Sequence, residues 1–311
     1  CASIGSSRSL QIGDYTLKFG SNDVSIVATT LTGDIVVPES FRILGKTYPV
    51  VAFERSLFYN CKSLNSVTLP STITAIPSSA FQNCTNLKAI TIPESVKSIG
   101  AYAFANSGLT SITIPDGVTE LGHRGLQSCA SLKSITVGNG VAVIPDCWAE
   151  FCNNLQEVTL GKRVKEIRWR AFPGFNLQHV YSYAKSAPSW DDSFYDGINS
   201  EAVLHVYENC VSRYQKANGW KDFPTILGDL GTYPTFEIAV NVAEVGTFSE
   251  ALQTAMTAAG CEDMLDITKL TVTGNVNNDD LYYLRDNVGA TLDALDLSAV
   301  TVDGSNLGHE Q

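Results

Sequence analysis

The chain has 311 residues, 44% of them hydrophobic and 17% charged, with a formal net charge of −11. Residues 1–231 hold 19 basic and 19 acidic side chains, whereas residues 232–311 hold two basic ones, Lys269 and Arg285, against thirteen acidic ones. The acidic last quarter argues against a nucleic-acid or anionic-lipid partner, no apolar run approaches the roughly 20 residues that span a bilayer, and the shift in composition marks a domain boundary near residue 231.

In chain order, residues 1–12 are small and polar and read as a tether. A cysteine at the first position, followed by Ala2-Ser3 and a Ser-rich run, resembles a mature bacterial lipoprotein with Cys1 as lipid acceptor; the alternative is a boundary that merely falls on a cysteine. Residues 13–57 alternate like strands: Tyr15–Phe19, Val24–Val27, then Ile35-Val36-Val37 closed by Pro38, and the run Gly45–Phe53. This stretch is expected to be an N-terminal cap for the blocks that begin at Phe58, because an open array must cover its first layer.

Residues 58–180 repeat. Phe58, Phe81, Phe104, Leu126, Ala149 and Phe172 begin blocks spaced 23, 23, 22, 23 and 23 apart. Cys61, Cys84, Ser107, Cys129, Cys152 and Phe175 come three residues later, then Leu64, Leu87, Leu109, Leu132, Leu155 and Leu177. Apolar pairs such as Val67/Leu69, Ile90/Ile92 and Ile112/Ile114 come next. A period of this length with this spacing reads as a leucine-rich repeat solenoid of about 23-residue repeats. One block contributes about six apolar side chains at roughly 1.5–3 kcal/mol each, less than the ordering cost of its residues; only stacked blocks hold. Alternation places Thr68, Thr91, Thr113, Thr136 and Thr159 opposite the core pairs, as an outward ladder on a parallel sheet extended by Tyr181.

Residues 181–231 read as the closing cap: a turn at Ala187-Pro188, a strand in Ala202–Tyr207, and a short helix in Tyr214–Phe223 ended by Gly219, with Trp220 and Phe223 over the last layer. Residues 232–311 form a small α/β module. A strand at Phe236–Val242 precedes a helix opened by a Thr247–Glu250 capping box and stopped at Gly260. Ile267, Leu270 and Val272 recur 25 residues later at Leu292, Leu295 and Leu297. Between them Asn278 is placed to cap a helix ended by Gly289. The fold class expected is thus a β-rich α/β solenoid joined to a small α/β leucine-rich module.

The block Ala80-Phe-Gln-Asn-Cys-Thr-Asn-Leu-Lys-Ala-Ile-Thr-Ile-Pro93 resembles those of the bacterial BspA-type leucine-rich repeat proteins, as do the opening Gly-Lys-Thr-Tyr-Pro-Val (45–50) and the closing Tyr-Gln-Lys-Ala-Asn-Gly-Trp-Lys-Asp-Phe (214–223). The resemblance covers about residues 15–227. It implies a surface-displayed or secreted protein that adheres to host or bacterial proteins; with Cys1 as lipid acceptor, the expected location extends to an outer-membrane lipoprotein.

No catalytic constellation stands out. His123, His179, His205 and His309 lie in four settings without metal spacing, and Asp191-Asp192 point apart on an extended chain. Asn275–Asp280 lacks the glycine and bidentate glutamate of a calcium loop. No cofactor or metal is expected. Four of the eight cysteines share one repeat position with Ser107 and Phe175, which reads as packing of reduced, buried thiols; Cys147–Cys152 is the one pair to watch for a disulfide. Candidate binding residues are the ladder Thr68, Thr91, Thr113, Thr136, Thr159 and Tyr181, and the basic coil with Arg168, Trp169 and Arg170, since Arg and Trp recur at interaction hot spots. The expected role is a non-enzymatic binder of a protein ligand through the sheet face. A glycan-capturing protein is the alternative, with Trp148, Trp169 and Trp190 for stacking, and any membrane contact would run through Cys1.

Overall fold

Each block closes one turn of a coil because its apolar positions recur at matching heights and must meet those of the next block to leave water. The computed structural model describes residues 9–190, 194–261, 264–288 and 292–302; Cys1, Asp191, Asp192, Gly289 and His309 lie outside them. The described residues fall into two compact units, divided between Gly231 and Thr232.

In the first unit, each coil contributes one front strand: Leu64–Thr68, Ala89–Thr91, Ser111–Ile114, Ser134–Val137, Glu157–Leu160 and His179–Ser182. Gly33–Val36 precedes them and Val203–His205 and Thr225–Leu227 succeed them, all paired in parallel. The repeat pattern in the sequence stops after Val180; the sheet instead continues through two further strands, and the strand His179–Ser182 straddles that boundary. A second, shorter strand per coil forms two back sheets. One holds Ala75–Ile76, Ser98–Ile99 and Glu120–Leu121; the other holds Val143–Ile144, Glu166–Ile167 and Ser189–Trp190.

Between the two lies the core. Leu64, Leu87, Leu109, Leu132, Leu155 and Leu177 are fully buried, and the rings of Phe58, Phe81 and Phe104 stack at 5.2 and 5.6 Å. The shared cysteine position faces the same core. The Cys84 thiol donates to the Phe58 carbonyl at 3.0 Å, Cys129 to Phe104 at 3.1 Å and Cys152 to Leu126 at 3.1 Å. Ser107, at the same position, places its hydroxyl 3.3 Å from the Cys129 thiol of the next coil. Two members depart from the expectation: Cys61 is only half-buried, at the outer end of the stack, and Phe175 is exposed. Cys147 and Cys152, like the other described cysteines, are free thiols.

At the first end, Ser9–Ile12, Tyr15–Phe19, Val24–Thr29, Ser40–Ile43 and Lys46–Phe53 make a five-stranded cap. Residues 9–12, expected to belong to a tether, pair antiparallel with 15–18. At the far end the helix falls earlier than expected, at Val211–Tyr214, and Gly219 (φ +77°) leads into a 3-10 turn at Trp220–Asp222. Trp220 is buried and its indole N–H donates to the Pro188 carbonyl at 2.7 Å.

The second unit is a three-stranded parallel sheet, ordered Phe236–Val242, Ile267–Val276, Ala294–Val302, with helices Phe248–Ala259 and Asn278–Asn287. Leu270 pairs with Leu295, as the 25-residue recurrence requires. The expected Thr247–Glu250 capping box does not form: the Thr247 hydroxyl donates to the Glu244 carbonyl at 2.7 Å. The buried Asp280 carboxylate takes over, accepting from the Gly246 and Phe248 N–H groups at 2.8 and 3.2 Å. Asp280 also closes a capping box on its own helix with Asn277, one residue before the expected Asn278.

Candidate binding face

The front strands present two outward columns. In one, Val36 pairs with Thr68 and Thr68 with Thr91; Thr113, Thr136, Thr159 and Tyr181 then pair in turn, continued by His205 and Leu227. The six candidate ladder residues thus share one face. Thr68, Thr91 and Thr113 are exposed, while Thr136, Thr159 and Tyr181 are half-buried. The neighbouring column runs Asp34, Ser66, Ala89 and then Ser111, Ser134, Glu157, His179, Val203, Thr225.

The face is not continuous. Strand pairing lapses between Ala89–Thr91 and Ser111–Ile114, and a cleft of about 350 Å³ opens there, lined by Ile90, Thr91, Ile92, Glu94, Ile112 and Thr113 among others. A 22-residue step, from Leu87 to Leu109, falls at the lapse; the other, from Leu155 to Leu177, carries no lapse, since the strands there pair throughout. Where Asn86 and Asn154 reach back to the preceding coil's carbonyls at 2.6 and 2.7 Å, the coil at the lapse has Gly108, whose Cβ, if present, would meet the Thr85 carbonyl oxygen at 2.2 Å. Beside the lapse Ile90, expected in the core, is left half-exposed.

At its C-terminal end the face changes character. Tyr181 stacks on His205 with centroids 4.4 Å apart, His205 Nδ1 meets the Asp229 carboxylate at 2.8 Å, and His205 Nε2 meets His179 Nδ1 at 3.0 Å. Burial, and then the carboxylates of Glu157 and Asp229, push the Tyr181 phenol above its ordinary value. In the sequence His179 and His205 look scattered. They are 26 residues apart and diagonal across neighbouring strands, so only the register of the strands beyond the repeats would have joined them.

Arg168, Trp169 and Arg170 come directly after the short strand Glu166–Ile167 and therefore sit on the back-sheet side of the coil, away from the ladder. Arg168 pairs with Glu166 at 2.9 Å, which raises its own pKa. Trp169 is exposed, with the Arg170 guanidinium 5.3 Å from its ring. Arg170 is half-buried and lies 3.4 Å from the buried carboxylate of Glu150, which also accepts from Gln127 at 2.9 Å. Of the three tryptophans considered for glycan stacking, Trp148 is buried, and Trp190 packs against Phe194 and Trp220 at 4.7 and 5.4 Å. Trp148 is thus a core residue and Trp190 is half-buried against the closing cap, while Trp169 is the exposed one of the three. Among the described residues, no three His, Cys, Asp or Glu groups cluster as a metal site, and no helix is long and apolar enough to cross a membrane.

Stacked coils with one front strand each, a ladder of buried leucines and a capped end define a leucine-rich repeat protein. Residues 51–178 match the BspA type Leucine rich repeat region in six copies. No curated protein matches the sequence. Among solved structures, the chain is similar to a leucine-rich repeat protein of T. pallidum, at 28% identity and a TM-score of 0.50, over 56% of this chain and 81% of that one. A leucine-rich repeat protein from Bacteroides ovatus shares 17% identity at a TM-score of 0.44, over 94% and 90% of the two chains. A leucine rich cell surface protein from Faecalibacterium prausnitzii shares 16% at 0.28, over 90% and 98%.

Proposed function

We propose that the protein is a non-enzymatic binding protein of the cell surface or its surroundings, and that it holds a protein ligand on the front face of its solenoid. The observation that carries this reading is the outward column from Thr68 to Tyr181, fixed by strand pairing on either side of the lapse between Thr91 and Thr113 and itself free of charged side chains. Such a face is ordered before it meets a partner, so little conformational entropy is lost on docking, and the column itself brings no ion to desolvate; Glu157 beside it and Glu94 at the cleft are the acidic groups a partner would meet. The cleft between Thr91 and Thr113 gives the otherwise flat column a recess for an anchoring side chain. Arg168 and Trp169 belong to a separate patch and would reach the same partner only if it wraps the coil.

The test is a pull-down with the full chain against host matrix and bacterial surface proteins, then affinity measurements on the partner returned. The variant Thr91→Lys/Thr113→Lys/Thr136→Lys is expected to weaken binding strongly, since it places three charges in the contact that a partner must desolvate. Arg168→Ala/Trp169→Ala is the companion variant; Arg170 is left in place because removing it strands the Glu150 carboxylate. Unchanged affinity in the folded threonine variant would remove the front face from consideration. A positive glycan array with no protein captured would replace the ligand class.

A further inference from the structure

We infer that His179 and His205 form a binding site for a divalent transition-metal ion of the zinc, nickel or copper type at the C-terminal end of the front face. This goes beyond the proposed binding role and does not depend on it. The two ring nitrogens that face each other, His179 Nδ1 and His205 Nε2, are 3.0 Å apart. Two imidazole nitrogens bound to one tetrahedral zinc at about 2.0–2.1 Å lie about 3.3–3.4 Å from each other. To become a chelate the pair needs to open by a few tenths of an ångström, and each ring needs to swing until its lone pair lies about 35° off the N–N line, toward the ion.

Three features distinguish it from two histidines that merely touch. The far nitrogen of His205, Nδ1, meets Asp229 at 2.8 Å. This is the carboxylate–histidine arrangement that fixes the tautomer and raises the basicity of a metal-bound imidazole. It leaves the Nε2 lone pair directed at His179. Tyr181 stacks on the His205 ring at 4.4 Å, and His205 is 8% exposed, so its plane is held before any ion arrives. Glu157 pairs in register with His179. Glu157 and Asp229 thus put two carboxylates around the pair, an environment that favours a cation.

The protons balance without an outside acceptor. In the metal-free pair, His205 donates Nδ1–H to Asp229 and accepts at Nε2 from the Nδ1–H of His179. On binding, the His179 proton moves from Nδ1 to Nε2 through solvent, freeing the Nδ1 lone pair, and no net proton is released from two neutral rings. Among the described residues the cluster has only these two imidazoles as nitrogen ligands, so the other positions fall to water or to a side chain brought by a partner. Magnesium and calcium, which prefer oxygen ligands, are not expected to compete.

The test is calorimetric titration of the full, reduced chain with Zn²⁺ and, in parallel, Ca²⁺. One equivalent of Zn²⁺ and no Ca²⁺ is expected, with binding weakening on acidification as protons compete for the rings. His179→Ala and His205→Gln should each remove that equivalent, and Asp229→Asn should weaken it about 10- to 100-fold. Melting curves check that each variant folds. Because His205 is buried, a second readout uses unaltered protein: Ni²⁺ should broaden the NMR ring signals of His179 and His205 and spare His123. Absence of binding, an equivalent that survives in the His179→Ala/His205→Gln double variant, broadening centred elsewhere, or a thiolate charge-transfer band on Co²⁺ substitution would each overturn the proposal.

Discussion

The thiols of the core column illustrate how one residue position serves two needs. A cysteine there fills a small apolar space and still satisfies the carbonyl of the block start below it. Burial pushes the Cys84 thiol from 9.0 up to about 12 and raises Cys152 as well. A folded-state pKa above the unfolded one means stability that is complete below about pH 9 and is lost as pH climbs toward the folded value. The melting temperature is therefore expected to fall between pH 9 and 12, and Cys84→Ser, whose hydroxyl does not ionise there, should flatten that fall. Thiol titration supplies a second check. Cys84, Cys129, Cys147 and Cys152 should stay unreactive in native protein and react after unfolding in denaturant without reductant, whereas the half-buried Cys61 should react more readily than they do. Backbone strain is also local to single residues. Asn60, Asn83 and Asn106 take φ of +60°, +63° and +53° at one turn position, where the fifth block has Phe151 at +63°. Asparagine tolerates that conformation; for other side chains it costs roughly 1–2 kcal/mol.

At the scale of the element, register is the testable quantity. Ile112 is buried and Thr113 exposed in the same strand. Ile112→Asp should abolish the folded array by burying an unpaired carboxylate, while Thr113→Asp should melt within a degree or two of the parent; similar melting of the two would refute the register. In the second unit, Asp280 ties together the starts of both helices. Asp280→Ala should cost at least about 2 kcal/mol, since it removes a charge-assisted cap from each, and the loss should appear as reduced helicity and an earlier melt of residues 232–302. These two elements show what a sequence discloses. Ile112 and Thr113 are readable because period and alternation are properties of neighbours along the chain. The cap is not: Thr247-x-x-Glu250 has the pattern of a capping box, but a carboxylate 32 residues ahead of Phe248 wins the orphan N–H groups, and no local pattern encodes that competition. The same holds at the candidate face. The threonine column comes from spacing, whereas His179 beside His205 depends on strands beyond the last repeat. Trp148 and Arg170 read as surface groups in the sequence because nothing in the spacing shows that they turn inward.

At the scale of the whole molecule, charge and architecture divide at the same point, with the first unit neutral and the acidic excess beyond Gly231. Raising salt should therefore change the stability of residues 232–302 more than that of the solenoid, since like charges within a Debye length repel until screened; equal salt response in the two units would contradict this.

The short block, Phe104 to Gly125, occupies a particular place in the solenoid. Its front strand, Ser111–Ile114, pairs only with the later coils; its back strand, Glu120–Leu121, pairs only with the earlier ones. The two sheets thus end on opposite sides of one coil, as the joints of successive courses are offset in a brick wall. A crack running along the front sheet meets intact pairing at the back, and the stacked rings of Phe81 and Phe104 cross the front joint as well. An array with aligned joints would come apart in two halves. With staggered ones, hydrogen exchange should show the coils on either side of residue 104 opening together, in a single cooperative step.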